Sequence, residues 1–302
     1  MIPICLVTGF LGSGKTTFLK QIAARHADEK IVYLVNDFSP QDVDGALLEQ
    51  VEDDVVTIPG GSIFCRCLVT QFLGRLRSIP ERFGTDEQPV AGVVIEASGI
   101  ADPAVIDEML AETALDRVYE VATIVAIVDP ASLPKLVTTL PTIAAQIRSA
   151  EIVLLNKVDR FDEAAVAAAE GIVREINPDA PIVRTVRCAA EVEIFAGGRV
   201  RALEGDYAPC ADPNYARFSV GFERPVRLSA LLDELSRARN DIYRAKGFVP
   251  TDGGIAYVDM SEAGLLAEAA PDATGETVLA IIARAKASHR VQELIGRLSA
   301  TA

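Results

Sequence analysis

Short hydrophobic runs rich in Val and Ile alternate with longer stretches of helical spacing between residues 2 and 185. The runs are continuous, without strict polar alternation, which predicts strands buried on both faces. Helical stretches between such strands are typical of crossover connections. We therefore expect an α/β fold with a mainly parallel sheet flanked by helices. The predicted strands are residues 4–8, 31–36, 55–58, 90–96, 123–129, 152–156 and 182–185, and the predicted helices include 17–27, 103–115 and 162–176.

The pattern changes beyond residue 185, where glycine and proline become frequent over residues 186–216. Such a composition predicts a linker. The sequence then resumes with predicted strands at 218–222 and 254–258 and predicted helices at 228–239 and 276–298. We expect Gly247 to end a helix and Phe248 to enter a small core. The predicted organisation is a first domain over 1–190, a linker over 191–216 and a smaller α+β domain over 217–302.

Composition narrows the range of partners. The formal net charge is −14 over 302 residues, which argues against nucleic acid or an anionic membrane as the main partner. No hydrophobic run is long enough to span a bilayer, and because the chain leads from Met1 directly into the first predicted strand we expect no signal peptide. The cysteines number five, and an odd count in a long chain indicates reduced thiols in a cytoplasm.

The stretch that follows the first predicted strand reads G-F-L-G-S-G-K-T-T over residues 9–17. It matches the phosphate-binding pattern G-x-x-x-x-G-K-[ST], in which backbone N–H groups and a helix N-terminus surround a polyphosphate. We expect Lys15 to reach the β- and γ-phosphates and the Thr16 hydroxyl to bind Mg²⁺. The residues predicted to bind the nucleotide here are Gly9, Gly12, Ser13, Gly14, Lys15, Thr16 and Thr17.

An acidic residue ends another predicted strand, in the stretch V-V-I-E-A-S-G over residues 93–99. At the carboxyl end of a strand beside the loop, Glu96 is suited to hold Mg²⁺ or to orient the attacking water. The backbone N–H of Gly99 is suited to the γ-phosphate. The alternative is that Glu96 is a solvated carboxylate at a strand end.

The stretch Asn156-Lys157-Val158-Asp159 follows a third apolar run. The Asp159 carboxylate can accept two hydrogen bonds from guanine, whereas adenine lacks that donor pair and would leave the carboxylate unpaired. GTP is therefore favoured over ATP. The alternative is that Asp159 only caps the helix that follows. Cys188, beyond the last predicted strand, is interpreted as a buried thiol, with a position near the base as the second interpretation.

With these motifs in place, the chain resembles the CobW family of P-loop GTPases, metallochaperone-like relatives of the accessory GTPases of urease and hydrogenase maturation. The resemblance implies GTP hydrolysis with Mg²⁺, loops that switch on hydrolysis, and delivery of a metal or cofactor into a client metalloenzyme or cofactor-dependent enzyme. The stretches that carry it are 9–17, 96–103, 156–159 and R-A-K-G-F at 244–248.

The first switch departs from the family pattern N-E-F-G-E followed by I-D. This chain reads N-D-F-S-P over 36–40, with V-D at 43–44. The resemblance places Asp37 with Lys15 and Glu96 among the catalytic residues, and Asp44 with Thr16 and Glu96 among the Mg²⁺ ligands. Asp37 stands where the family pattern has Glu and supplies a carboxylate on a side chain one methylene shorter, and Asp44 matches the Asp of the family's I-D pair.

The cysteine motif departs further, because the family's G-C-x-C-C is here G-S-I-F-C over 61–65, followed by Arg66-Cys67. Ser62 and Phe64 occupy two of the three thiol positions. Cys65 and Cys67 can still supply two thiolates to Zn²⁺ or another thiophilic metal, and Arg66 favours their ionisation. The competing interpretation is a pair of structural thiols.

Three functions follow from these patterns. The leading hypothesis is a Mg²⁺-dependent GTPase that couples its nucleotide state to metal or cofactor delivery. The second is a nucleotide-gated chaperone for a metalloenzyme or corrinoid enzyme that binds no transition metal itself. A small-molecule kinase is the third and is disfavoured, because N-K-x-D has no use in a kinase. The sequence leaves open the client, the metal and whether the chain forms a homodimer.

Overall fold

The structure is a computed structural model that describes the chain in two compact units, Met1–Cys210 and Ala211–Ala302. The residues it describes are 1–37, 54–59, 63–64, 69–197, 215–222, 224–261, 264–271 and 277–300. Within them, no helix is both long and apolar enough to cross a membrane.

The first unit contains a seven-stranded sheet whose strands all run parallel. Its spatial order is β3-β2-β4-β1-β5-β6-β7, so β1 lies at the centre. The parallel α/β fold and all seven predicted strands are confirmed, although β5 starts four residues earlier than expected, where Tyr119 pairs with Ile2. The strands are β1 (Ile2–Thr8), β2 (Ile31–Asp37), β3 (Val55–Pro59), β4 (Gly92–Glu96), β5 (Tyr119–Val128), β6 (Ile152–Asn156) and β7 (Ile182–Thr185).

Helices connect these strands, and two of the helical segments begin at an aspartate that caps them, Asp102 and Asp162. The Asp102 carboxylate accepts a hydrogen bond from the N–H of Ala104 at 2.9 Å. That cap opens a short 3-10 helix, Pro103–Val105, and the α-helix after it ends earlier than predicted, at Glu112. The helices are α1 (Lys15–Arg25), α2 (Val69–Phe83), α3 (Ile106–Glu112), α4 (Leu133–Thr139), α5 (Pro141–Arg148) and α6 (Glu163–Ile176).

Both faces of the parallel sheet are buried, which explains the continuous apolar runs. Ile4 and Leu6 of β1 point to the face covered by α2 and α3. Cys5 and Val7 point to the opposite face, where α1 packs through side chains such as Phe18. Because successive residues of a strand face opposite ways, a strand covered on both sides has no solvent-facing position to fill with a polar residue.

The second unit is an antiparallel sheet in the order β11-β10-β9-β12-β8, covered on one face by two helices. The helices pack through Leu231, Leu235, Val291 and Leu294. The elements are β8 (Tyr215–Gly221), α7 (Leu228–Arg237), β9 (Ile242–Thr251), β10 (Gly254–Ser261), β11 (Gly264–Ala269), β12 (Val278–Arg284) and α8 (Ser288–Ala300).

Three sequence predictions in this unit are wrong. The helix predicted over 276–298 is split into β12 and α8, because residues 278–284 pair with β8 and β9. Gly247 does not end a helix but lies inside β9, where a Cβ would come within 1.9 Å of the Val278 carbonyl oxygen. Phe248 lies outside the helix-covered core and packs its ring against Tyr257, with centroids 5.5 Å apart.

The first part of the predicted linker packs on the first unit. Ile194 is buried, and the Phe195 ring lies so close to Gly92 that a Cβ there would come within 2.3 Å of it. The Arg25 guanidinium at the end of α1 donates to the Ala190 carbonyl oxygen. Residues 190–195 therefore belong to the wall of the parallel-sheet domain.

Candidate nucleotide-binding site

The loop between β1 and α1 has a backbone that requires glycine. Gly9, Gly12 and Gly14 have φ values of 135°, 78° and 120°, a region that residues with side chains rarely adopt. A Cβ at Gly9 would come within 2.2 Å of the Ile127 carbonyl oxygen. A Cβ at Gly14 would come within 2.5 Å of the Asn156 amide nitrogen. The loop is thereby held tightly against β5 and β6, with its N–H groups at the start of α1.

Three side chains predicted to act on phosphate and Mg²⁺ lie together at this loop. Lys15 begins α1 and is buried, with its Nζ 3.8 Å from a Glu96 carboxylate oxygen and 3.5 Å from the Phe10 carbonyl oxygen. The Thr16 hydroxyl is 3.3 Å and 3.4 Å from the two oxygens of Glu96. Mg²⁺ binds oxygen ligands at about 2.0–2.1 Å in octahedral geometry, which sets neighbouring ligands about 3 Å apart. Thr16 and Glu96 therefore fit a shared Mg²⁺.

The loop after β4 packs against the glycine-rich loop. A Cβ at Gly99 would come within 2.6 Å of the backbone nitrogen of Leu11, so the two backbones touch. Two hydroxyl groups in these loops, Ser13 Oγ and Ser98 Oγ, are buried without a hydrogen-bond partner among the described residues. Buried hydroxyls in native proteins are nearly always hydrogen-bonded. Two orphaned hydroxyls at this place are suited to a polar ligand.

The Asn156 side chain links the glycine-rich loop to β7 and to the segment that follows it. Its side-chain amide donates to the Ser13 carbonyl oxygen at 2.7 Å. Its Oδ1 accepts from the Thr185 hydroxyl at 3.1 Å and from the backbone N–H of Cys188 at 2.9 Å. The side chain is buried, and these contacts join the glycine-rich loop, β7 and the segment after β7.

Lys157 is held by a carboxylate that sequence reasoning missed. Its φ is 63°, and its Nζ donates to the Gly12 carbonyl oxygen at 2.5 Å and lies 3.6 Å from Asp129. Asp129 is buried just after β5 and accepts hydrogen bonds from the backbone N–H groups of Ala131 and Ser132, both at 3.1 Å. The sequence signal for Asp129 was present, because an acidic residue stands at the carboxyl end of a buried strand at Asp129 as it does at Glu96.

Asp159 lies in a 3-10 turn, Val158–Arg160, and is exposed. It does not cap the next helix: Asp162 is the N-cap of α6 and accepts from the Ala165 N–H at 2.8 Å. Asp159 therefore stays available to a ligand, and the cap interpretation of this residue is wrong.

Cys188 lies beneath the loop as a buried thiol. Its Sγ donates to the Gly14 carbonyl oxygen at 3.3 Å, and the residue is fully buried. Burial raises the pKa of this thiol to about 12, against a smaller lowering by Lys157 and Asn156. The thiol is therefore protonated at neutral pH and supports the loop by packing and hydrogen bonding.

The remaining predicted residues fall at the limit of the described structure. Asp37 ends β2, and its side chain is outside the described set. Asp44, Cys65 and Cys67 lie outside the described residues. Among the residues that are described, no group of three or more His, Cys, Asp or Glu could hold a metal ion.

Phe64 is described and lies in the core. The residue is fully buried, and its ring meets Phe72 of α2 edge-on, with centroids 6.0 Å apart. The preceding Ile63 donates its N–H to Asn36 Oδ1 at 3.1 Å, and Asn36 Nδ2 donates to the Ile58 carbonyl oxygen at 3.1 Å. The position that resembles a family thiol is thus part of the hydrophobic core.

A strand, a glycine-rich loop and a helix that begins with Lys15 and Thr16 define a P-loop nucleotide-binding protein. Glu96 and the N-K-x-D stretch lie at the same carboxyl edge of the sheet. The sequence profile described as "CobW/HypB/UreG, nucleotide-binding domain" matches residues 3–184. The chain therefore belongs to the CobW family of P-loop GTPases.

The names of two relatives and of one solved structure refer to zinc. The zinc chaperone CobW of Pseudomonas aeruginosa is 26% identical in an alignment of length 297 that covers 83% of this chain and 78% of the relative. The zinc-regulated GTPase metalloprotein activator 1 of Dictyostelium discoideum is 23% identical, and the match covers 82% of this chain and 62% of the relative. Among solved structures, Zn(II)-bound YjiA GTPase from E. coli aligns over 98% of both chains with a TM-score of 0.48 and 19% identity.

Proposed function

We propose that the protein binds GTP with Mg²⁺ and hydrolyses it to GDP and phosphate. The observation that carries the proposal is the meeting of Lys15, Thr16 and Glu96 beside a loop that only glycine can form. The orphaned hydroxyls of Ser13 and Ser98 support a polar ligand at this place. Membership of the CobW family supports GTP as that ligand.

Each site residue has a separate role in phosphoryl transfer. Lys15 offsets charge on the β- and γ-phosphates, and the loop N–H groups of 9–17 bind phosphate oxygens. Thr16 and Glu96 hold Mg²⁺, with Asp44 as the further ligand that the family resemblance supplies. The Gly99 N–H binds the γ-phosphate, and Glu96 or Asp37 orients the attacking water. Mg²⁺, when bound, neutralises charge on the phosphate oxygens. Among the described residues no arginine is assigned to the γ-phosphate, and we expect slow turnover without a client.

The same site recognises guanine. Asp159 is exposed and has no hydrogen bond or ion pair within the described residues, so its carboxylate can accept from guanine N1–H and N2–H₂. Lys157 runs under the loop to Gly12 and presents its aliphatic stem to the base. Asn156 keeps the base-binding turn and the phosphate loop in one fixed relation.

A phosphate-release assay tests hydrolysis. Lys15→Ala should abolish GTP hydrolysis, because charge on the transferring phosphoryl then has no counter-charge from the protein. The matched control is Lys20→Ala, on the exposed face of the same helix, which should behave as wild type. Full hydrolysis by Lys15→Ala would overturn the proposed mechanism.

We further propose that nucleotide state is coupled to delivery of a metal or cofactor into a client enzyme. The names of relatives, a zinc chaperone and a zinc-regulated metalloprotein activator, support this role. Cys65 and Cys67 are the candidate thiolates for Zn²⁺ or another thiophilic metal. Cytoplasmic location and a client metalloenzyme remain predictions.

A second candidate is a GTP-gated chaperone that binds no transition metal itself. The observation that favours it is the burial of Phe64 against Phe72, which removes one family thiol position from any metal site. Such a chaperone would use nucleotide state only to hold and release its client.

Zinc affinity separates the two candidates. Chelator competition would be measured with Mg²⁺ and a non-hydrolysable GTP analogue, on wild type and on the Cys65→Ser/Cys67→Ser double variant. Tight binding that the double variant loses supports metal delivery. Absent binding supports the metal-free chaperone, and equal tight binding by both proteins would exclude Cys65 and Cys67 as the metal ligands.

A further inference from the structure

A buried glutamine connects α5 to the loop after β4. Gln146 is 1% exposed, and its side-chain amide nitrogen donates to the Ala101 carbonyl oxygen at 2.9 Å and to the Gly99 carbonyl oxygen at 3.4 Å. The two acceptors are 45 and 47 residues away along the chain. One side-chain amide thus contacts two carbonyl oxygens of one short loop, with the shorter bond to Ala101.

The loop that Gln146 holds lies between the metal-binding strand end and the phosphate loop. Glu96 is three residues before Gly99, and the Gly99 backbone touches the backbone nitrogen of Leu11. The loop closes on itself, because the Ala101 N–H donates to the Ser98 carbonyl oxygen at 3.0 Å. Gln146 on one side and Leu11 on the other therefore fix the backbone at Gly99.

The helix that carries Gln146 is itself anchored. Asn177, at the end of α6, donates from its side-chain amide to the carbonyl oxygens of Ile147 and Ala150 at 2.8 Å and 2.9 Å. These bonds hold the C-terminal end of α5 one residue beyond Gln146. The glutamine thus extends from a fixed support rather than from a free helix end.

We propose that Gln146 is a positioning residue for recognition of the γ-phosphate. The inference rests on the proposed function, in which the Gly99 N–H binds the γ-phosphate and so distinguishes GTP from GDP. Hydrogen-bond strength falls steeply with distance and angle, and sub-ångström displacements lower rates of transfer. The Gly99 N–H belongs to the Ser98–Gly99 peptide, whose carbonyl oxygen accepts from the Ala101 N–H. Gln146 holds the carbonyl oxygens of Gly99 and Ala101 and thereby sets this turn where that N–H can reach the phosphate. GDP lacks the γ-phosphate, so its binding does not use this contact.

The test compares affinities for a non-hydrolysable GTP analogue and for GDP in the full-length protein. Gln146→Met keeps the length and approximate volume of the side chain but removes both donor hydrogens. We expect its affinity for the GTP analogue to fall about tenfold, the effect of losing one charge-assisted hydrogen bond, while GDP affinity stays within about twofold. The kcat for GTP hydrolysis should fall with it. Gln292→Met, exposed on α8, is the matched control and should match wild type.

The outcomes are distinguishable. If wild type binds and hydrolyses GTP and Gln146→Met keeps the same ratio of the two affinities, the positioning role is wrong and the GTPase assignment stands. If wild type neither binds nor hydrolyses GTP, both fail. If Gln146→Met does not fold, Gln146→Asn keeps a neutral amide but is one methylene shorter, so it cannot keep both contacts to the loop, and it should lose affinity for the GTP analogue selectively. A proportional loss for both nucleotides in Gln146→Asn would also overturn the proposal.

Discussion

Replacing Asn156 with alanine should lower both the stability of the first unit and its affinity for nucleotide. The side chain makes three hydrogen bonds, to Ser13, Thr185 and Cys188, and is 2% exposed. Each bond contributes about 1 kcal/mol, and a buried N–H left unpaired, here that of Cys188, adds to the cost. The expected loss is about 3 kcal/mol.

The loss converts into a measurable shift in melting temperature. At about 3 °C per kcal/mol for a unit of this size, the melting temperature should fall by about 9 °C. Nucleotide affinity should fall at least about tenfold, because the bond to Ser13 holds the loop residue next to Gly14. Circular dichroism gives the first quantity, and titration with a fluorescent GDP gives the second.

A matched asparagine separates the two effects. The Asn177 side chain likewise both donates, to the carbonyl oxygens of Ile147, Arg148 and Ala150, and accepts, from the Ala180 N–H, but it lies at the α5–α6 junction, outside the phosphate loop. Asn177→Ala should lower the melting temperature and leave GDP affinity near wild type. The reasoning is refuted if Asn156→Ala binds GDP as wild type does, or if Asn177→Ala loses equal affinity.

Three further predictions concern single side chains. Phe64→Ala should lower the free energy of unfolding, measured in urea, by about 3–5 kcal/mol, as for other buried Phe positions. Phe83 is only half-buried, so Phe83→Ala should lower it by less. Equal losses would contradict a place for Phe64 in the core. Cys188 has a pKa raised from about 9 to about 12, so only the unfolded state ionises between these values and stability falls as pH rises through them. Between pH 8 and pH 10 the free energy of unfolding of Cys188→Ala should therefore fall by about 1 kcal/mol less than that of wild type. An identical fall in both proteins would contradict the raised pKa of the Cys188 thiol. Asp159→Asn should lower the affinity for GTP at least about tenfold and raise the affinity for xanthosine triphosphate, whose 2-oxo group can accept a hydrogen bond from the asparagine amide. Unchanged GTP affinity would exclude Asp159 from the base site.

Much of the first unit could be predicted because local pattern and tertiary role agree there. Runs such as those of β1 and β4 are short, rich in β-branched residues and followed within a few residues by glycine, and these three features together favour a strand buried on both faces. The phosphate loop was predictable for the same reason, since Gly9 and Gly14 occupy conformations that only their residue type allows.

Other features depend on contacts between distant parts of the chain. The periodicity of residues 278–284 is compatible with a helix or a strand. These residues form a strand because they pair with β8 and β9, which are distant along the chain. Gln146 has no local signal, because its partners Gly99 and Ala101 are more than forty residues away. Phe64 was recognised as a departure from a cysteine motif, but its place in the core required the structure.

The most direct test of the central claim is the nucleotide selectivity of the wild-type protein. Fluorescent GTP and ATP analogues would be titrated against purified protein with Mg²⁺ present. The account predicts GTP binding about 100-fold tighter than ATP, since ATP would leave the Asp159 carboxylate without its donor pair, a penalty of a few kcal/mol. Equal or tighter binding of ATP would contradict the GTPase assignment and favour the kinase interpretation of the same loop.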